Sequence, residues 1–91
     1  MIYTLEFTEQ AIDDIKLLKR SEPSAFKKAQ KLLLELMEHP RTGTGKPEIK
    51  KYDLAGLYSR RISQKHRLVY QIKDETVTVI VITAAGHYDD K

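Results

Sequence analysis

The 91-residue chain contains no cysteine, and this absence excludes several kinds of site at once. It can hold no disulfide bond, no thiolate metal centre and no cysteine nucleophile. A chain without cysteine fits the reducing cytoplasm, where we expect the protein to act. The N-terminus does not resemble a secretory signal, and no apolar run approaches the roughly 20 residues that span a bilayer. We therefore expect no association with a membrane.

The sequence also lacks the short motifs that mark several classes of enzyme. The histidines His39, His66 and His87 are too scattered for a metal site, so we expect no metal and no other cofactor. The loop "RTGTGKP" lacks the spacing and the final Lys-Ser or Lys-Thr of a phosphate-binding loop. No Gly-x-Ser-x-Gly turn and no glycine-rich nucleotide fingerprint is present. Acid–base chemistry by ordinary side chains is the catalytic option that remains.

Charge is what the chain has in quantity, and it is unevenly distributed. Charged residues make up 32% and hydrophobic residues 41% of the sequence, which is typical of one folded domain covering residues 1–91. The net charge is +3, yet the stretch from Arg41 to Arg67 holds eight basic and two acidic residues, a net of +6. Such a stretch either forms an ordinary solvated face or binds a polyanion, most plausibly nucleic acid.

Hydrophobic spacing predicts two helices followed by a sheet. The segment 2–7 alternates like a strand, and Thr8 is a suitable N-cap for a helix that ends near Arg20. Ser21 can cap a second helix, which Pro40 should end. Further strand-like segments occupy residues 50–54, 57–62, 66–72 and 76–84. The predicted class is α+β in the order β-α-α-β-β-β-β, with two helices on one face of a mainly antiparallel sheet of about five strands.

Alternation along the strands divides their side chains between two faces of the predicted sheet. Arg60 and Arg61 are consecutive, so at most one faces an open groove and the other is a solvated or structural cation. Arg61 and Arg67 can point away from the helices and share a phosphate-binding face with Glu48. The helix spacing predicts as buried residues Ala11, Ile12, Ile15, Leu18, Phe26, Ala29, Leu33, Leu36 and Met37.

These residue types suit the cleavage of RNA, which carries its own nucleophile in the 2′-hydroxyl group. Cleavage needs a base to remove that proton, an acid to protonate the leaving 5′-oxygen, and cations to stabilise the charge that develops on the phosphate. At neutral pH a glutamate is ionised, a histidine is partly protonated and an arginine stays charged. Taken alone, Glu48 also fits an ordinary surface ion pair and His66 an ordinary turn residue.

Several segments together resemble the YoeB-type toxins of the RelE/ParE superfamily. They are "GKPE", the pattern L-x-G-x-x-S-R-R-I, "HRLVY" and a final "HY", and the likeness extends over the whole chain in element order and length. The resemblance implies a RelE-like fold and a bacterial toxin that cleaves messenger RNA in the ribosomal A site without a metal. It also implies a cognate antitoxin that silences the toxin, and a homodimer.

The resemblance assigns three catalytic roles. Glu48 of "GKPE" matches the general base of the family, Arg67 of "HRLVY" its phosphate-stabilising arginine, and His87 of "HY" its general acid. His66, next to Arg67, is the rival acid in this sequence. The resemblance assigns contacts with the substrate to Lys51, Arg61 and Tyr88.

Two other functions remain open from the sequence. One is a gyrase-inhibiting toxin of the ParE type, which shares the fold but has no nuclease site. The other is a module that binds nucleic acid or an antitoxin without catalysis. The combination of Glu48, Arg67 and His87 favours a ribosome-dependent messenger-RNA endoribonuclease.

Overall fold

The chain forms two helices and a mixed sheet in the computed structural model, which describes residues 2–43, the backbone of residues 48–49, and residues 57–85. Over these residues the helices are α1 (Glu9–Ser21) and α2 (Pro23–Glu38). The strands are β1 (Thr4–Phe7), β2 (Glu48–Ile49), β3 (Leu57–Arg61), β4 (Arg67–Lys73) and β5 (Thr78–Thr83), with a 3₁₀ turn at Asp74–Thr76 between the last two. The predicted strand at 50–54 lies outside the described residues.

The strand order within the described part of the sheet is β1-β5-β4-β3-β2. β1 runs parallel to β5, and the other neighbouring pairs are antiparallel. Among the described residues, β2 contributes two, so this part of the sheet has four longer strands and one short one. The predicted α+β class, with two helices on a mainly antiparallel sheet, is confirmed.

Thr8 connects β1, β5 and α1. Its backbone amide donates to the carbonyl of Val81, and its hydroxyl donates to the carbonyl of Ile82 at 2.7 Å. The same hydroxyl accepts a hydrogen bond from the amide of Ala11 and thereby caps α1, as its position in the sequence predicts. One side chain thus sets where the helix begins and holds that end against β5.

The junction between the helices differs from the prediction. Ser21 is the last residue of α1 instead of the cap of α2, and the N-cap of α2 is Glu22. The carboxylate of Glu22 makes no capping bond, because it binds the side chain of His66. Pro23 opens α2, where a missing amide costs no helical hydrogen bond, and the helix ends two residues before Pro40, as expected.

The core lies between the helices and the sheet. The side of α1 that faces this core differs from the predicted one. Ile12 was expected to be buried but is 41% exposed, whereas Asp14 is buried. The Asp14 carboxylate accepts hydrogen bonds from the backbone amide of Ala84 at 2.9 Å and from the side chain of Gln10 at 2.8 Å. These bonds satisfy a buried charge and turn α1 towards the end of β5. The fully buried apolar side chains include Leu18, Leu32, Leu36, Leu68, Tyr70, Val79 and Val81.

No helix in the described part of the chain has the length and apolar character that crossing a membrane requires.

Candidate active site

Two arginines lie directly opposite each other where β3 and β4 meet their connecting turn. Arg61 is the register partner of Arg67, which places their Cβ atoms about 4.5–5.5 Å apart on one face of the sheet. Arg61 is exposed and Arg67 is half-buried. Two guanidinium groups this close on one face can both donate hydrogen bonds to a single anion such as a phosphate. The pair is therefore a candidate phosphate-binding site.

The register of β2 brings position 48 to the same face. Glu48 is the register partner of Ser59, and Ser59 lies two residues before Arg61 in β3. Side chains two residues apart in a strand share a face, so positions 48, 61 and 67 belong to the face opposite the helices. The structure therefore brings together Arg61 and Arg67, with position 48 on their face. Their chemical roles remain predictions.

The face opposite the helices is less open than the sequence suggested. Leu57, Ser59 and Val69 belong to it by register, and each is buried. Burial of Leu57 and Val69 follows from their apolar side chains. The accessible basic side chains on this face of β3 and β4 lie at two ends, with Arg61 and Arg67 at one end and Lys73 at the other.

Three of the predicted site residues cannot be placed relative to this pair. Lys51, His87 and Tyr88 lie outside the described residues, and Glu48 is described by its backbone alone. Within the described ranges, no three histidine or acidic side chains are grouped so that they could hold a metal ion. A metal-free site stays a prediction, because His87 is not among these residues.

Arg60, the neighbour of Arg61, is fully buried on the helix-covered face. Its Nε donates to the hydroxyl of Tyr70 at 3.0 Å, and its Nη1 donates to the carboxylate of Glu35 at 3.0 Å. Its Nη2 donates to the backbone carbonyls of His39 and of Thr42. The expectation that one of the two arginines is a structural cation is confirmed, and Arg60 is that residue.

The hydroxyl of Tyr70 extends the Arg60 network to the loop after α2. It donates to the carbonyl of Pro40 at 2.8 Å, and the Tyr70 ring stacks on Tyr58 with 5.8 Å between the ring centroids. Burial raises the pKa of the Tyr70 hydroxyl, although the hydrogen bond with Arg60 opposes this shift. Tyr70 therefore stays neutral near neutral pH and acts as both acceptor and donor in the network.

A second group of contacts holds the same loop from the other side. Arg41 donates to both carboxylate oxygens of Asp74, at 2.7 and 3.3 Å, and the hydroxyl of Tyr3 donates to that carboxylate at 2.8 Å. The bonds from Arg41, and then from Tyr3, lower the pKa of Asp74. The sequence did not indicate this cluster, since its members come from the residue before β1, the loop after α2 and the 3₁₀ turn.

His66 occupies the turn between β3 and β4, on the helix side. Its Nε2 lies 2.8 Å from the carboxylate of Glu22, and its backbone carbonyl accepts hydrogen bonds from the amides of Ile62 and Ser63. The hydrogen bond with His66 is the main cause that lowers the pKa of Glu22, against an opposing effect of burial. His66 thus acts as a turn and packing residue, which is one of the two roles that the sequence left open for it.

The chain is similar in sequence and in structure to a family of bacterial toxins. A family model described as "YoeB-like toxin of bacterial type II toxin-antitoxin system" matches residues 7–88. Toxin YoeB of Escherichia coli (strain K12) is 35% identical over 84 residues, which cover 92% of this chain and 98% of that protein. The YoeB/ParE toxin from Agrobacterium tumefaciens has a TM-score of 0.86 at 34% identity, covering 93% of this chain and 99% of that one.

Two structures of YoeB from Staphylococcus aureus are also similar to this chain. One is of a YoeB dimer, with a TM-score of 0.84, and the other is of a YoeB–YefM complex, with a TM-score of 0.80. In both comparisons the identity is 34%, and the match covers 97% of this chain and 100% of the other.

Proposed function

The chain belongs to the YoeB-like toxins of bacterial type II toxin–antitoxin systems, and from this we propose that it is an endoribonuclease that cleaves messenger RNA in the ribosomal A site. The observation that carries the proposal is the cross-strand Arg61–Arg67 pair on the same face as position 48. Two permanently charged guanidinium groups suit the binding of a phosphodiester, and a carboxylate at position 48 suits the removal of a nearby hydroxyl proton.

In the proposed reaction, Glu48 removes the proton of a ribose 2′-hydroxyl group. The 2′-oxygen attacks the adjacent phosphorus, and the bond from phosphorus to the 5′-oxygen breaks. His87 gives a proton to the departing 5′-oxygen, so the products are a 2′,3′-cyclic phosphate and a 5′-hydroxyl end. Arg67 stabilises the negative charge that increases on the non-bridging oxygens in the transition state. No step assigns a role to a metal or a cofactor.

The remaining predicted residues act on binding and geometry in this mechanism. Arg61 and Lys51 attract the RNA backbone, and Tyr88 positions the nucleotide. The ribosome supplies the rest of the alignment, because a small open surface cannot by itself hold an RNA with the 2′-oxygen in line with the leaving oxygen. We therefore propose that activity depends on the ribosome.

The decisive experiment adds the purified protein to ribosomes programmed with a defined messenger RNA and maps new RNA ends by primer extension. We expect cleavage at the A-site codon, and no cleavage by the Glu48→Gln variant on the same time scale. Efficient, site-specific cleavage of the same RNA without ribosomes would contradict the dependence on the ribosome. Inhibition of DNA gyrase supercoiling without RNA cleavage would instead identify a ParE-type activity.

Partners and location follow from the same family membership. YoeB from Staphylococcus aureus has been seen as a dimer and in complex with YefM. We propose that this chain, as one domain spanning residues 1–91, likewise forms a homodimer and is silenced by a cognate antitoxin. Its proposed substrate places it in the cytoplasm. Light scattering on the purified toxin would test the dimer, and loss of cleavage on adding the antitoxin would test the silencing.

A further inference from the structure

Arg60 is a costly residue for a small core to contain. Its side chain is fully buried, and its guanidinium group remains charged at any ordinary pH. Removing such a charge from water is expensive, and well-packed apolar side chains often provide equal or greater stability. The stability of the core therefore does not by itself explain an arginine at this position. The groups to which Arg60 donates hydrogen bonds indicate its role.

The Arg60 network holds the loop that follows α2. Arg60 binds the carbonyls of His39 and Thr42, and Tyr70 binds the carbonyl of Pro40 between them. Three backbone carbonyls of one short loop are thus fixed by two side chains of the sheet. The loop is the part of the chain that leads towards Glu48, and its position follows from these bonds.

Gly43, five positions before Glu48, fits closely against the same network. Its φ angle is +117°, a conformation that favours glycine. A Cβ atom at this position would lie 2.6 Å from the Glu35 carboxylate and 3.3 Å from Nη1 of Arg60. The backbone of the loop therefore packs directly on the Arg60–Glu35 ion pair, and any larger residue would displace one or the other.

The position of Arg60 within β3 connects this network to the candidate site. Arg60 lies between Ser59, the register partner of Glu48, and Arg61, the register partner of Arg67. We propose that Arg60, together with Tyr70 and Glu35, is a positioning device that fixes Glu48 relative to the Arg61–Arg67 pair. The inference rests on the proposed function, and none of the three residues touches the substrate in it.

The test removes one oxygen atom from the network. Tyr70→Phe keeps the shape of the ring but loses the bonds with Arg60 and Pro40. We expect the single-turnover cleavage rate at saturating ribosomes to fall about 10- to 100-fold, because a misplacement of about 1 Å has effects of this size. The affinity for ribosomes should change less than about twofold. Gly43→Ala should have the same pattern, since it displaces the ion pair from the loop side.

A double-mutant cycle separates positioning from general loosening of the fold. If Tyr70 acts through Glu48, Tyr70→Phe should slow the residual cleavage of a Glu48→Gln protein by less than about twofold. Ile15→Ala is the matched control, because Ile15 packs against the core from α1 and its apolar side chain takes no part in the hydrogen bonds of the network. We expect it to lower the melting temperature without lowering the cleavage rate of the folded protein.

Three results would overturn the positioning role while the proposed function stands. They are a parental rate for Tyr70→Phe, an equal loss in the Glu48→Gln background, or an equal loss in Ile15→Ala. If the parent protein does not cleave RNA on the ribosome, both the proposed function and the positioning role that rests on it are wrong. Should Tyr70→Phe fail to fold, Glu35→Gln, which keeps the shape of the side chain, provides the same cycle.

Discussion

Arg60 and Arg61 are consecutive residues of β3, yet they occupy two different environments. Arg60 is buried among the hydroxyl of Tyr70, the carboxylate of Glu35 and two backbone carbonyls. Arg61 is exposed, and the residue opposite it is Arg67. The contacts of Arg60 fix the structure, whereas Arg61 and Arg67 present two guanidinium groups on one face, an arrangement that suits the binding of an anion. Both residues are arginines, and the face of the strand on which each lies determines its surroundings.

The largest expected effect is on stability, on the helix-covered face. Arg60→Ala removes the bonds that Arg60 donates to Glu35, to Tyr70 and to two backbone carbonyls, and we expect the free energy of unfolding to fall by about 3–5 kcal/mol. Arg61→Ala is the matched control and should change it by about 0.5 kcal/mol or less. Urea denaturation of the three proteins measures both values. Equal losses for the two variants would show that the faces do not differ in this way.

On the opposite face the expected loss is in catalysis. Arg67→Ala removes charge stabilisation from the transition state, and we expect the single-turnover cleavage rate on ribosomes to fall about 10²- to 10³-fold. Lys73→Ala, at the exposed far end of β4, is the control and should cleave at the parental rate. A parental rate for Arg67→Ala would remove this residue from the proposed mechanism.

A smaller effect concerns the salt dependence of binding. If Arg61 contacts a phosphate, Arg61→Ala should reduce the slope of log affinity for programmed ribosomes against log salt by about 1. Lys31→Ala, exposed on α2, should leave the slope unchanged. An unchanged slope for Arg61→Ala would mean that the exposed arginine does not bind the RNA backbone.

The smallest effect tests the contact between Glu22 and the turn that carries His66. The pKa of Glu22 is lowered in the folded state, so its carboxylate adds stability above its ordinary pKa of 4.5, and this contribution is lost as pH falls through the lowered value. Glu22→Gln should therefore melt below the parent at neutral pH, with the difference shrinking as the pH falls below 4.5 and through the lowered pKa of Glu22. His66 and Lys65, whose side-chain nitrogens lie at 2.8 and 3.7 Å, are the partners of this carboxylate. A difference that persists in acid would show that the contact does not depend on the charge of Glu22.

Local patterns were sufficient to predict the two helices and the strands β1, β3, β4 and β5, because each depends on neighbouring residues. Thr8 caps α1 and Pro40 follows the end of α2 as expected. The errors arise where a residue distant in the sequence determines a local contact. The N-cap of α2 is Glu22 instead of Ser21, and the Glu22 carboxylate pairs with His66, 44 positions away. The parallel pairing of β1 with β5 had no local signal at all.

The candidate site was predictable only in part. The alternation in β3 indicated that at most one of Arg60 and Arg61 faces the groove and that the other is a solvated or structural cation, and the structure shows that Arg60 is the structural one. The Glu35 carboxylate and the carbonyls that accept hydrogen bonds from Arg60 belong to α2 and the loop that follows it. Spacing within β3 could therefore not show which of the two arginines is buried. The assignments of His87 and Tyr88 depend on the family resemblance alone.

The pairing of β1 with β5 has a consequence for the synthesis of the protein. Thr4 lies beside Thr78, so β1 lacks this partner strand until a translating ribosome has also made β5. Contacts between such distant parts of a chain form slowly, and a chain truncated before β5 cannot form them. Under the proposed function, a nascent toxin therefore stays inactive until β5 has been translated, and the ribosome that makes it is not attacked before that point.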